Sequence, residues 1–309
     1  MINSFKKSKL FEYCFRRVSF PGVAVLCYHG IRNDYSPEGT IAWGDFHVTV
    51  REFTEHCRFV HDFCDPISLN EFLAAKNGLC PLPKRPVLFT FDDGYRSVFT
   101  LARPILRKFN IPALVFLSSN YIEKRCLFWF DTVFRKFGAE EVYRLKATPF
   151  NQWKYGDGIF NMPANDDDPN TVLSKEEIIE LSDSGSFEFG SHTLDHLILS
   201  KISLEEQKKQ IYLDKKYIQA LIDKPVRVFA YPNGRPGIDY TEKSVKIVLD
   251  LGFEAAFSTR FGFTALKDSN LECSRFFILS RLTPFEFSYI LFRTALVQRF
   301  HDLMCVKKK

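Results

Sequence analysis

Short apolar runs recur along the chain, and most are separated by a stretch with helical spacing. Val23 to Tyr28, Val87 to Phe91, Pro112 to Leu117, Phe187 to Gly190, Val226 to Tyr231, Ala255 to Ser258 and Phe276 to Leu279 have the length and side-chain types of buried strands. Between them, Phe53, Cys57, Val60 and Cys64 repeat at helical spacing over Arg51 to Cys64. Ser68 with Glu71, Ser174 with Glu177 and Ser203 with Glu206 have the form of capping boxes. The helices they open are predicted to stop before Gly78, at Gly185 and near Ile222. Further helices are predicted through Arg107, with Pro104 kinking or restarting the turn, and from Thr241 to Gly252. Thr283-Pro284-Phe285-Glu286 caps a last one. About seven strands alternating with helices predict an α/β protein whose parallel sheet or barrel is covered by helices.

Three stretches break this rhythm. Residues 1–20 form a basic, aromatic arm. Residues 121–173 carry Phe128-Trp129-Phe130, a predicted helix to Phe137 and a polar run from Asn165 to Asn170. They read as an insertion over one end of the domain, either a lid that shapes a substrate site or a peripheral excursion with its own small core. Residues 283–309 form a final helix and a basic tail, which leaves 21–282 as the main domain.

The polar residues fall at informative places. His29, Asp92-Asp93, His192 and Asn233 each follow the C-terminal end of a predicted strand. In a parallel barrel those ends share one rim, where active sites are built. Adjacent carboxylates repel, so Asp92 and Asp93 call for a shared cation or proton. Helix capping explains one of them but not both. His192 and His196 are spaced i, i+4, so one helical turn would put both imidazoles on one side. With one carboxylate they make a His, His, Asp set suited to a catalytic divalent ion with a position left for water. Such an ion lowers the pKa of its water to roughly 7, and the second carboxylate is then available as general base. His47, His56, His61 and His301 lie in loop or helical surroundings and read as ordinary.

Composition narrows the classes without naming one. At 309 residues the chain can bury a sizeable core. Lysine and arginine number 42 against 37 acidic residues, and much of the excess sits at Lys6, Lys7, Lys9, Arg16, Arg17 and Lys307 to Lys309. Basic ends suit a weak attraction to an anionic membrane surface. No basic stripe recurs through the body of the chain, which argues against nucleic acid. Eight scattered cysteines without a CxxC read as small buried hydrophobes in a reducing compartment. No secretory h-region and no run long enough to span a bilayer stand out, so a cytoplasmic, at most membrane-peripheral, protein is expected. Oligomeric state is not legible.

Thr90-Phe91-Asp92-Asp93-Gly94 and His192-Thr193-Leu194-Asp195-His196 resemble the first two motifs of the polysaccharide deacetylases, carbohydrate esterase family 4 with its NodB-homology domain. The resemblance covers roughly residues 20–280 and implies a distorted (β/α) barrel. It implies Asp92 as general base and Asp93, His192 and His196 as ligands of a divalent metal, zinc first and cobalt, nickel or iron as alternatives. The implied reaction removes an N-acetyl group from an amino sugar. Where the family's third motif reads Arg-Pro-Pro-Tyr-Gly, this chain has Ala230-Tyr231-Pro232-Asn233-Gly234. Tyr231 and Asn233 then become the substrate and oxyanion positions, through the Asn233 N–H. The arginine expected to orient the base is missing there, and Arg227 lies three residues too early. The late Leu-x-His that supplies the general acid is also missing; Ile278-Leu279-Ser280-Arg281 stands near its place.

Cys27-Tyr28-His29-Gly30 resembles the opening element of the circularly permuted poly-N-acetylglucosamine deacetylases, in which an N-terminal strand carries the acid histidine. That resemblance implies His29 as general acid. Three other readings stay open: a same-fold amidase for a cyclic imide or ureide, an O-deacetylase, and a catalytically silent sugar-binding module. Phe128 to Phe130, Trp43 and Trp153 are candidates for stacking on sugar rings.

Overall fold

A computed structural model describes residues 2–34, 44–155, 157–165 and 167–306. Among these residues seven parallel strands close into a barrel: β1 (Ala24–Tyr28), β2 (Pro86–Phe91), β3 (Ala113–Leu117), β4 (Phe187–Ser191), β5 (Val228–Ala230), β6 (Ala255–Phe261) and β7 (Cys273–Phe277). Neighbours around the circle follow chain order. The ring shuts because β1 pairs with β2 from Ala24↔Val87 to Tyr28↔Phe91 and with β7 at Leu26↔Phe276. A two-residue strand, Asp65–Pro66, pairs with the start of β2.

Alternation along each strand sorts the side chains into two cores. Val25, Leu88, Leu114, Phe116, Val228, Ala230, Ala255, Phe257 and Cys273 pack together inside the barrel. Ile67, Leu69, Phe72 and Leu73 join them and plug the end where the strands begin. Their neighbours in sequence, such as Leu26, Tyr28, Phe89, Phe91, Val115 and Leu117, face outward into the helices. Phe116 fills the barrel over Gly190, where a Cβ would lie 2.5 Å from its ring, so only glycine fits at that point of β4. With one end plugged, the other end is left for polar groups.

The helices follow their local signals. Ser68, Ser174 and Ser203 cap Leu69–Lys76, Lys175–Asp183 and Leu204–Ile222, each accepting a bond from the backbone three residues on. Pro104 restarts the chain after a π-helical turn at Val98–Ala102, giving a short α-helix at Arg103–Lys108. The basic arm is also helical, Ile2–Arg17, and is tied down by Phe15, which is buried against Phe20, Phe59, Phe63 and Phe292. Phe292 belongs to the last helix, Pro284–Val306, so the two chain ends pack on each other. Trp43 and the tail at 307–309 lie outside the described residues. The cysteines at 14, 27, 57, 64, 80, 126 and 273 are all free. Among the described residues no helix is long and apolar enough to cross a membrane.

One boundary matters for the site. The apolar pattern predicts the last barrel strand from Phe276, but β7 begins at Cys273 and carries Arg275 within it.

Candidate active site

Interior-facing positions of β2 are Leu88, Thr90 and Asp92, so the same parity that buries Leu88 sends the Asp92 carboxylate into the barrel near its open end. Thr90 is satisfied by donating its hydroxyl to the Leu26 carbonyl at 2.8 Å. Asp92 meets Arg275, which comes from the matching interior position of β7. Arg275 Nη1 donates to Oδ1 at 2.7 Å and Nη2 to Oδ2 at 2.9 Å, while Nε donates to the Ser258 carbonyl at 2.9 Å. The fork geometry of a guanidinium suits a carboxylate in this way. Asp92 is thus held by an arginine, delivered from β7 and not from the stretch that stands at the third motif. The sequence signal for it was a lone arginine in Cys273-Ser274-Arg275-Phe276-Phe277, two positions from an interior cysteine. Arg227 sits elsewhere, bonded to Asn70 and near Glu188.

Beyond Asp92 the chain turns sharply. Asp93 has φ 70° and Gly94 φ 64°, two consecutive left-handed residues. A non-glycine residue held there costs of order 1–3 kcal/mol, which persists only where surrounding contacts fix it. The turn carries the Asp93 carboxylate to the two histidines. His196 Nε2 lies 3.2 Å and His192 Nε2 3.6 Å from Asp93 Oδ1. One ligand atom from each of the three residues lies within 4.8 Å of the others.

The histidines do not share a helical turn, contrary to the i, i+4 expectation. Residues 192–198 form an irregular loop, with Thr193 at φ 66° and His196 at φ 51°. The loop's own bonds bring the rings together, 4.7 Å apart between centroids. Asp214, buried on the helix Leu204–Ile222, accepts from Ser191 Oγ at 2.5 Å, His192 N at 3.1 Å and Ser119 N at 2.8 Å. His192 Nδ1 lies 2.7 Å from the Ala230 carbonyl. A proton on Nδ1 makes that bond and leaves Nε2 as the lone-pair nitrogen facing Asp93. Gln210 holds Asp195 from the same helix, accepting from its N–H at 2.9 Å and donating to its carboxylate at 2.7 Å.

The segment between β3 and β4 contributes directly. Trp129 Nε1 donates to the His196 carbonyl at 3.3 Å, and the Phe130 and Phe128 rings lie 5.0 and 5.6 Å from the His196 ring. Phe128 to Phe130 thus brace the histidine loop, and Trp153 packs on Trp129 at 4.6 Å. Phe130 and Lys146 line the cavity itself, of about 230 Å³, together with His29, His47, Tyr95, Asn233 and Arg235 among others.

His29 follows β1 on the cavity wall, its ring 5.0 Å from Phe277 and 5.4 Å from Phe46. His47 is not the ordinary loop histidine its surroundings in sequence suggest. It is buried on the same wall, against Tyr95 and close over Gly30, because Val48–Thr49 pairs with Ile31–Arg32 just past β1. Tyr231 lines the cavity too, but its phenol donates to the Leu271 carbonyl at 3.0 Å and its ring stacks on Tyr240 at 3.8 Å. Asn233 lines the rim in a left-handed conformation, φ 57°.

Charge is distributed unevenly. Burial pushes Asp92 up, but Arg275 and His192 pull it further down, to a net position below the ordinary carboxylate range. Burial likewise raises Asp93, and His196, His29 and His192 more than offset it. Burial lowers His192 to about 4, with His196 adding to the effect. It also lowers His29, against the attraction of Asp93 and Asp92. Near pH 7 Asp93 is ionised and His192 neutral, the states that metal ligation requires of them, and Asp92 is ionised and His29 neutral beside them. Asp131 differs: burial and the Asp93 charge push it well up, and it accepts from Tyr95 at 3.2 Å.

The fit to a metal is testable on the side chains themselves. Asp93 Oδ1 is buried without a hydrogen-bond partner, and buried polar atoms are seldom left so. A carboxylate oxygen facing imidazole nitrogens at 3.2 and 3.6 Å leaves a borderline divalent cation well matched in donor type and number.

A parallel barrel with ionised and neutral titratable groups gathered at its open rim defines a hydrolase-type site. The chain matches the family model described as polysaccharide deacetylase over residues 80–256, and it belongs to that family. His29 and Arg275 both lie outside that span. The chain is 26% identical over 250 residues to the poly-beta-1,6-N-acetyl-D-glucosamine N-deacetylase of Staphylococcus epidermidis, covering 74% of this chain and 70% of that one. It is 22% identical over 244 residues to YxkH of Bacillus subtilis, covering 77% of this chain and 64% of that protein. The chain therefore spans about two thirds of the length of these relatives. Among solved structures, the Streptococcus pyogenes deacetylase PplD in complex with acetate superposes with a TM-score of 0.66 at 20% identity, over 87% of this chain and 98% of that one, a likeness of fold.

Proposed function

We propose that the protein is a metal-dependent carbohydrate deacetylase that hydrolyses an N-acetyl group on an amino sugar. The observation that carries this is the meeting of Asp93, His192 and His196 beside an ionised Asp92 that Arg275 holds in place. Asp93, His192 and His196 would hold the cation, zinc by preference for this donor set, with cobalt, nickel or iron as alternatives. When bound, it supplies Lewis acidity to the acetyl carbonyl and to water. Asp92 takes the proton from the attacking water. His29, neutral at rest and facing the same cavity, takes up the proton released from the water through Asp92 and passes it to the departing amine as the C–N bond breaks. The Asn233 N–H and the wall at Tyr231 position the acetyl group.

Arg275 also bears on the silent-module alternative. That reading stood on a missing arginine, and the base here has one. O-deacetylation and amide hydrolysis on a different ring use the same groups and remain outcomes of the test. The test is metal analysis of the purified protein with an acetate-release screen over N- and O-acetylated sugars. Stoichiometric divalent metal with acetate release from an N-acetyl sugar, abolished by chelator and restored by metal, is the expected result. Metal-free protein with full turnover would overturn the proposal.

We also propose that the chain ends rest on an anionic membrane surface from the cytoplasmic side. Phe285, Tyr289, Arg293, Leu296 and Phe300 form one stripe of the last helix, and the four apolar members are 45–68% exposed. Leu10 and Tyr13 are exposed on the adjoining helix, which ends at Arg16 and Arg17. An apolar stripe beside basic residues suits interfacial binding. Co-sedimentation with anionic but not neutral vesicles is expected, and equal pelleting with neither would remove it.

A further inference from the structure

Two cations share the cavity wall with the carboxylates and histidines: Lys146 from the helix Ala139–Ala147 between β3 and β4, and Arg235 just beyond Asn233-Gly234. Neither is needed for the chemistry above. Arg235 is pre-oriented, its Nε and Nη2 donating to Asp239 at 2.8 and 3.0 Å, and its side chain is still 59% exposed. Lys146 is half-buried, its ammonium 5.7 Å from the Phe130 ring centroid. Burial lowers its pKa, Asp93, Asp239 and Asp131 draw it back up, and Arg235 repels it. Lys146, Arg235 and the Asp93 carboxylate line the same cavity.

The charges do not cancel once the site is loaded. Asp92, Asp93 and Asp239 are matched by Arg275, Lys146 and Arg235, and burial with the Asp93 charge pushes the Asp131 carboxyl well up, so at most one negative charge is added there. A divalent cation on the ligand set then leaves a net positive cavity. A neutral sugar leaves that field uncompensated, and like charges in a partly desolvated wall repel.

We propose that Lys146 and Arg235 form an anion subsite, and that the acetylated sugar carries a phosphoryl or carboxylate substituent which binds there. This rests on the deacetylase reading and names its substrate class. The lysine serves as a point charge and the arginine as a planar fork, a pairing suited to either oxyanion.

Calorimetry with metal-loaded protein in a His29→Ala background, which keeps both carboxylates, compares N-acetylglucosamine, its 1-phosphate and N-acetylmuramic acid. The expected result is that at least one anionic sugar binds about tenfold or more tightly than the neutral one. That gap should shrink with added salt and in Lys146→Met and Arg235→Met, and persist in Lys146→Arg. Which anionic sugar wins separates phosphoryl from carboxylate. Equal affinity for all three, or a preference that both methionine variants retain, overturns the subsite. Acetate release by the wild-type chain separates the two proposals. Release from the neutral sugar at an equally low KM removes the subsite and leaves the deacetylase. Anion preference that depends on Lys146 without acetate release from any sugar does the reverse.

Discussion

Arg275 and Asp92 are 183 residues apart in the chain and meet as a two-bond pair inside the barrel, with both side chains almost fully shielded from solvent. Removing one partner of a buried pair strands the other. Arg275→Met is expected to cost about 3–5 kcal/mol of unfolding free energy, measured by denaturant melts. It should also act on the chemistry. Arg275 holds Asp92 below its ordinary value, and the base works only when ionised, so losing the arginine moves the acid limb of the pH–rate profile to higher pH. Arg275→Lys keeps a charge but not the fork, and should fall between. An unmoved acid limb in the methionine variant would disconnect Arg275 from the base.

His29 is neutral at rest because burial outweighs the pull of Asp93 and Asp92. His29→Ala should cut kcat by about 10²–10⁴, with metal content unchanged because the ligand set is untouched. Undiminished turnover removes the general-acid assignment. A parallel loss of metal would mean instead that His29 supports the ligands.

Asp214 ties three backbone or hydroxyl donors at the ends of β3 and β4, His192 N among them. Asp214→Ala leaves Ser119 N and Ser191 Oγ buried and unpaired, and leaves His192 N with the Leu117 carbonyl alone. Metal affinity is expected to fall about 10–100-fold, as for other residues that orient a ligand, with a lowered thermal midpoint. Metal titration monitored by thermal shift checks both. Wild-type affinity in this variant would mean the loop holds His192 without help.

Burial keeps His47, His56 and His192 neutral, at about 3, 4 and 4, against an ordinary value near 6.5. At these three rings the unfolded chain binds more protons than the folded one between pH 6.5 and 4, offset in part by Asp131 and Asp214, whose raised carboxyls take up protons first in the folded state. Stability is full above that window and falls as pH drops through it, by up to about 1.4 kcal/mol per pH unit per histidine. Thermal midpoints of the metal-free protein should decline steadily from pH 7 to 5. A flat profile would contradict the burial of these rings.

The sequence by itself determined the elements whose causes are local. The three capping-box patterns Ser68-Glu71, Ser174-Glu177 and Ser203-Glu206 start α-helices as the spacing predicts, because the cap and the helical positions that follow are set within a few residues. Apolar runs of strand length became barrel strands, and the residues just past β1, β2, β4 and β5 reached one cavity, because strand ends in a parallel barrel share a rim. Tertiary structure alone decided what depends on register and loop path. Arg275 points inward only because β7 starts three residues before its apolar run, which gives the arginine the same parity as Cys273. The two histidines converge through a left-handed loop clamped by Asp214 and Gln210, contacts made by a helix that begins after the motif ends. His47 reaches the cavity through the pairing of Val48–Thr49 with Ile31–Arg32, and Lys146 from the segment between β3 and β4, and no periodicity in a single chain records which way a connection turns.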